Sequence, residues 1–168
     1  MPNTHVFTGL DGAITVAVET GAAGDAAKAV NDVYALTPIG RATGVTIEVT
    51  SAMRPFHEMG QRYATELREG NTNVSGTIGR AHINGALLRL MLGDAGANGS
   101  RPAGAFISPS FNLSLLMENA GFPGNSSTVT VHGVKLDGWS FTMPEDDFVM
   151  ESVSYKALWV SAEDAASE

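Results

Sequence analysis

Four histidines, one run of three acids and several glycine-rich stretches are the parts of this chain most able to do chemistry. The histidines are His5, His57, His82 and His132. None stands at a metal-ligand spacing such as HxxxH, and there is no cysteine to complete a site. Disulfides, zinc–thiolate centres and cysteine nucleophiles are therefore excluded. Glu145, Asp146 and Asp147 offer carboxylates for Mg²⁺ or Ca²⁺, or for a metal-dependent hydrolase, but no further ligands accompany them. Adjacent acids of this kind read as a solvated turn, although here they lie interior to the fold. "HVFTGLDGAITV" and "GDAGANG" are glycine-rich, yet neither fits GxGxxG or GxxxxGK[ST]. There is no GxSxG elbow. Asn73, Asn112 and Asn125 begin glycosylation triplets, which carry no meaning without secretion. The expectation is a protein with no catalytic, cofactor-binding or metal-binding residues, and not an enzyme.

The chain of 168 residues suits one domain, and 43% hydrophobic residues suffice for a core. No apolar run is long enough to cross a membrane as a helix. The start "MPNTHVFTGLDGA" has neither the basic nor the apolar region of a secretory signal, so an intracellularly assembled protein is expected. Net charge is −8. Residues 144–168 hold seven acids against Lys156, so the rest is nearly balanced. No basic patch is visible, which argues against tight nucleic-acid binding. Residues 163–168 read as a solubilising acidic tail.

The elements follow from periodicity. "GAITVAV" (12–18) alternates and reads as a strand. Residues 19–44 read mostly as a long loop, with room for a short helix at Ala26–Val33. A loop of that length in a compact domain is functional or an intermolecular contact. Val45, Ile47 and Val49 share one strand face. The stretch 54–71 mixes Arg54, Arg62 and Arg68 with Glu58, Glu66 and Glu69. Gly60 weakens a helix there, so a mobile loop or extended hairpin arm is preferred. "NTNVSGTIG" is a strand with Val74, Gly76 and Ile78 on one face. Ile83, Leu87, Leu90 and Met91 then form a helical stripe, predicting a helix at about 84–92, N-capped by Asn84 and ended by Gly93. After a loop through "GDAGANGSRPAGAF", Phe111, Leu113, Leu115 and Met117 mark a strand. The next strand slips phase at His132–Gly133 and at Asp137–Gly138, which predicts bulges or a turn. "DFVMESVSYKALWVS" is expected to be the longest strand, with Val153, Tyr155, Ala157 and Trp159 on one face. The fold class is mainly β (α+β): an antiparallel β-sandwich or barrel with one flanking α-helix and long loop or hairpin arms.

Two segments, "RPFHEMGQRYATELREGNTNVSGTIGRAHINGALLRLMLG" and "STVTVHGVKLDGWSFTMPEDDFVMESVSYKALWV", resemble tail tube proteins of tailed bacteriophages and the related tubes of contractile injection systems. The resemblance spans roughly residues 45–160 and rests on the order of elements and on the "EG…VSGTI" and "VKLDGWSF" phrases. It implies a non-enzymatic subunit whose homohexameric rings stack into a hollow tube that conducts DNA without binding it tightly. The implied partners are further copies of itself, a tape-measure protein, tail terminator and baseplate or tip proteins, and in some systems a sheath. The implied location is the virion tail, assembled in the host cytoplasm. Arg54, Phe56, Arg62, Tyr63, Glu66, Arg68 and Glu69 are then the expected ring-to-ring contacts. The loop 19–44 becomes a further inter-subunit contact. Glu145, Asp146 and Asp147 would face the lumen or an interface. The rival is a monomeric β-sandwich binding module, for example one for carbohydrate. It needs an exposed aromatic platform, whereas the phase of Trp139, Phe141 and Trp159 places them in the core.

Overall fold

The computed structural model describes residues 6–36, 39–93, 99, 101, 104 and 106–165. A 3-10 turn at Gly9–Asp11 leads into β1 (Gly12–Val18) and α1 (Ala22–Tyr34). Next come β2 (Ala42–Phe56), β3 (Glu66–Ala81) and α2 (Ala86–Leu92). The chain ends through β4 (Phe111–Glu118), β5 (Ser126–Thr142), β6 (Met150–Ala157) and β7 (Trp159–Ala165). Every strand pairing is antiparallel. The mainly β reading with a flanking helix holds.

β5 organises the sheet. Its first half, 126–134, pairs with β4, and β4 with β1. Its second half, 135–142, pairs with β6, and the order continues through β3 to β2. β7 pairs with residues 126–132 of β5. The β6–β7 segment thus follows β5 along its length, broken once at Leu158. That break faces the His132–Gly133 bulge, where Leu158 N–H donates to His132 O at 2.9 Å. Gly133 has φ +66°, and a Cβ there would meet Leu158 Cδ1 at 2.6 Å. Glycine is required by both the backbone angle and the space. Its N–H donates to Glu19 Oε1 (3.0 Å) and Asn112 Oδ1 (3.1 Å), so the bulge leaves no orphan donor.

Both predicted phase slips are bulges: one between Phe111 and Leu113 against β5, one between Leu136 and Gly138 against β6. β5, not the acid-led segment, is the longest strand, because Leu158 divides the latter into β6 and β7. Val153 and Tyr155 are buried, but the break turns Trp159 out to 53% exposure. The acidic tail also differs from expectation. Glu163 and Asp164 pair with Thr128 and Ser127 as part of β7, while 166–168 lie outside the described residues. Most of the loop "GDAGANGSRPAGAF" lies outside them too.

The expected long loop at 19–44 contains a 13-residue helix. Its apolar face is made of small residues, Gly24, Ala27 and Val30, so its periodicity is weak in sequence. Alanine is nevertheless the best helix former. Gly24 is needed because a Cβ there would collide with the Glu19 carbonyl at 1.9 Å. The shorter α2 buries Ala86, Leu87 and Leu90. Ile83 is half exposed and precedes the helix rather than joining its stripe. The N-cap is Gly85 rather than Asn84, although Asn84 Oδ1 accepts from Ala86 N–H at 3.2 Å. Gly93 ends the helix at φ +61°. The helices pack on each other, with Arg89 over the Tyr34 ring at 5.6 Å. Between helices and strands lies one core, which includes Val16, Ile78, Leu87, Leu90, Phe111, Leu113, Val131 and Val153.

Candidate assembly surfaces

The expected arm is the far end of the β2–β3 hairpin. β3 is bonded to β6 only from Val74 onward, so beyond that point the hairpin has no third strand among the described residues. Past Ser51↔Thr72 the register shifts, and Met53, Arg54, Pro55 and Phe56 then face Glu69, Arg68, Leu67 and Glu66. A Cβ on Gly70 would meet the Ala52 carbonyl at 2.7 Å, which fits the bulge at this point. The tip is a turned loop, with Gln61 N–H donating to Glu58 O and Thr65 N–H to Phe56 O. It is not a helical turn.

Cross-strand partners share a face. One arm face therefore carries Met53, Pro55, Leu67 and Glu69; the other carries Arg54, Arg68, Phe56 and Glu66. The first face continues the core-facing side of β2, where Val45 and Ile47 pack against the core. Beyond the end of β6 this apolar strip has no cover, and Met53 and Leu67 are exposed. The sequence reading found the charged face and missed Met53 and Leu67. Strand alternation across Pro55 was the available signal. Of the seven residues expected at the interface, Arg54, Phe56, Glu66 and Arg68 share one face, Glu69 lies on the other, and Arg62 and Tyr63 sit at the tip. All seven are exposed in the single chain. The arm's ion pair, Arg68 to Glu66 at 3.2 Å, is solvent-exposed and contributes little by itself.

Glu145, Asp146 and Asp147 occupy the turn between β5 and β6 and are exposed, as a solvated turn requires; they do not lie interior to the fold. Asp147 Oδ1 accepts from Phe148 N–H at 2.7 Å. Met143 and Phe148, beside the acids, are largely exposed. Among the described residues no group of three or more His, Asp or Glu is arranged to hold a metal.

A buried polar cluster fixes the strands behind the sheet. The Arg80 Nε donates to Glu151 Oε1, and both residues are almost fully buried. Arg80 Nη2 reaches Asn84 O and Oδ1 at 3.2 Å each. Trp139 Nε1 donates to Glu151 Oε2 at 3.1 Å. His82 Nδ1 lies 3.3 Å from the same oxygen without hydrogen-bond alignment. The cluster joins β3, β5, β6 and the start of α2; its Arg80–Glu151 pair is sealed from solvent, while the His82 side chain is 28% exposed. Trp139 packs partly on the core, Phe141 is 40% exposed, and Trp159 stacks on His132 at 3.7 Å. Trp139 and Phe141 stack with ring centroids 5.7 Å apart, and of the three aromatics only Trp139 meets the expectation of a core position.

A cleft of about 620 Å³ separates β1 and β4 from the start of β2, lined by Ile14, Ile39, Val45, Leu115 and Met117 among others. β1 and β2 do not pair, so the sheet is open along this seam. The outward side of β2, β3, β5 and β6 is polar and small: Thr46, Ser75, Thr77, Ser140, Ser152 and Ser154. Where β6 covers β3, its charges are Glu48, Asp137, Lys135 and Lys156, which cancel; Arg54, Arg68 and Glu66 of the arm continue the same face. Among the described residues, edges remain open along β1, β2 and β7 and along the second half of β5 on the side away from β6.

No family model and no curated protein matches the sequence. Solved structures do match in fold. A chain from the sheath/tube terminator of the PVC extracellular contractile injection system, in its extended state, is 9% identical, with TM-score 0.63 over 95% of this chain and 97% of that one. A chain of the PVC sheath–tube complex gives 8% identity and TM-score 0.62 over 95% and 93%. The SPP1 tail tube gives 12% identity and TM-score 0.52 over 96% and 80%. The chain therefore has the fold found in these tail-tube and injection-system components.

Proposed function

We propose that this chain is a non-enzymatic structural subunit of a phage tail tube or of the inner tube of a phage-derived injection device. In this reading homohexameric rings stack into a hollow tube. The observation that carries it is the uncovered hairpin arm on a fold shared, over nearly the whole chain, with injection-system components. An isolated two-stranded hairpin is marginal in water, and an exposed apolar strip marks a contact surface. The open edges of β2 and β5 give each subunit two complementary lateral surfaces, which cyclic closure satisfies.

The outward face of β2, β3, β5 and β6 is the natural lumen lining. Small hydroxyl side chains and cancelling charges neither hold phosphate nor strongly repel it, which suits DNA in transit. Arg54, Phe56, Arg62, Tyr63, Glu66, Arg68 and Glu69, with Met53 and Leu67 added, are the proposed ring-to-ring contacts. A tape-measure protein, terminator, baseplate or tip proteins and, in sheathed systems, a sheath are the proposed partners; the proposed location is a virion tail assembled in the host cytoplasm. Sedimentation velocity of the purified chain over a concentration series tests the reading. Species of six subunits and larger are expected; a single monomer boundary at every concentration argues for the monomeric binding module.

A further inference from the structure

The arm holds a charge conflict that its own chain does not resolve. Arg54 and Arg68 are cross-strand partners on one face. Like charges directly opposite destabilise a hairpin. Glu66 pairs with Arg68, and among the described residues no carboxylate lies within ion-pair distance of Arg54. The same segment carries the uncovered Met53 and Leu67 on its other face. The Arg54–Arg68 face calls for an acidic partner.

The chain presents such a surface at the opposite end of the same sheet. Met150 pairs with both Ala81 of β3 and Thr142 of β5, so the β5–β6 turn lies where β3 ends. The arm lies where β3 begins. From Arg68 to Ala81 is about 40 Å at the rise of a strand. The turn carries Glu145, Asp146 and Asp147, flanked by Met143 at 72% and Phe148 at 79% exposure. No cation of the described residues pairs with these acids.

We infer that the arm of one copy docks on the β5–β6 turn of a second copy, with Arg54 and Arg68 facing Glu145–Asp147. The inference rests on the self-assembly reading and names the receiving surface. Copies displaced along the strand direction bring arm to turn. A twofold pairing of arm on arm would instead put the Arg54–Arg68 pair against its own copy. The contact is therefore heterologous and leaves a free arm and a free turn after every step, so it propagates axially. Opposite charges set the polarity of stacking as well as adding affinity.

Charge exchange tests this. R54E/R68E makes the arm acidic, E145K/D146K/D147K makes the turn basic, and a third chain carries both sets. Each set alone is expected to lower the sedimentable fraction about tenfold or more. Mixing the two singly altered chains, or using the chain with both sets, restores it to within about threefold of the unaltered protein. Thermal unfolding confirms that each variant folds; where one does not, R54Q/R68Q and E145Q/D146N/D147N are read in its place. If the unaltered chain assembles while the exchanged chains assemble equally well, or mixing restores nothing, the docking inference is overturned and self-assembly stands. If the unaltered chain does not assemble, both readings fall.

Discussion

Gly76 and Tyr155 are cross-strand partners, and the tyrosine ring fills the space that a Gly76 side chain would occupy. A Cβ on Gly76 would meet Tyr155 Oη at 2.5 Å and the Thr46 carbonyl at 2.0 Å. The Tyr155 hydroxyl passes over the glycine to donate to Thr46 O at 2.8 Å, so one side chain ties β6 across β3 to β2. Gly76→Ala is expected to destabilise the subunit by about 1–3 kcal/mol through overpacking. Urea unfolding with an unchanged slope and a lowered midpoint is the expected result; an unchanged midpoint would mean the ring has another place to go.

Burial pushes the Tyr155 hydroxyl up to about 12 from its ordinary 10.0. The raised value means that the folded state favours the neutral phenol. Its contribution is fully present below pH 10 and is lost as pH rises from 10 toward 12. Tyr155→Phe should cost about 1 kcal/mol at neutral pH through the lost hydrogen bond. It should also remove this tyrosine's share of the alkaline decline, and paired stability–pH profiles read both effects.

Glu151→Gln leaves the buried Arg80 charge uncompensated and is expected to cost about 3–5 kcal/mol. A Met at 80 with a Leu at 151 removes both charges and should recover most of that loss. Denaturant unfolding followed by tryptophan fluorescence reports on it directly, because Trp139 touches the same carboxylate. A double variant no better than Glu151→Gln would show that the polar cluster does more than satisfy itself.

Met53→Ser with Leu67→Ser touches no core side chain. Subunit stability should stay within about 0.5 kcal/mol of the unaltered chain, as for ordinary surface substitutions. Assembly should fall sharply. In the unaltered chain, amide hydrogen exchange between 53 and 69 should slow on assembly, since the arm has no third strand among the described residues. Exchange rates equal in free and assembled protein would remove the arm from the contact.

The strands were legible because alternation is strong where one face is buried: Val45/Ile47, Val74/Ile78 and Phe111/Leu113 each announce the core side. The glycines at 133 and 138 announced their bulges by the phase slip around them. α1 was hidden because its buried face is Gly24, Ala27 and Val30, too small to raise a helical stripe above an Ala- and Gly-rich background. The Leu158 break was hidden because its cause lies across the sheet, in the conformation of Gly133. On the arm, charge drew attention to Arg54 and Arg68, whereas the apolar strip is apparent only once the register places Met53, Pro55 and Leu67 together.

Electron microscopy of the purified, unaltered chain at high concentration tests the central claim most directly. Sixfold rings and stacked tubes with an open lumen are expected. A field of single, monomer-sized particles, with neither rings nor tubes, would contradict it.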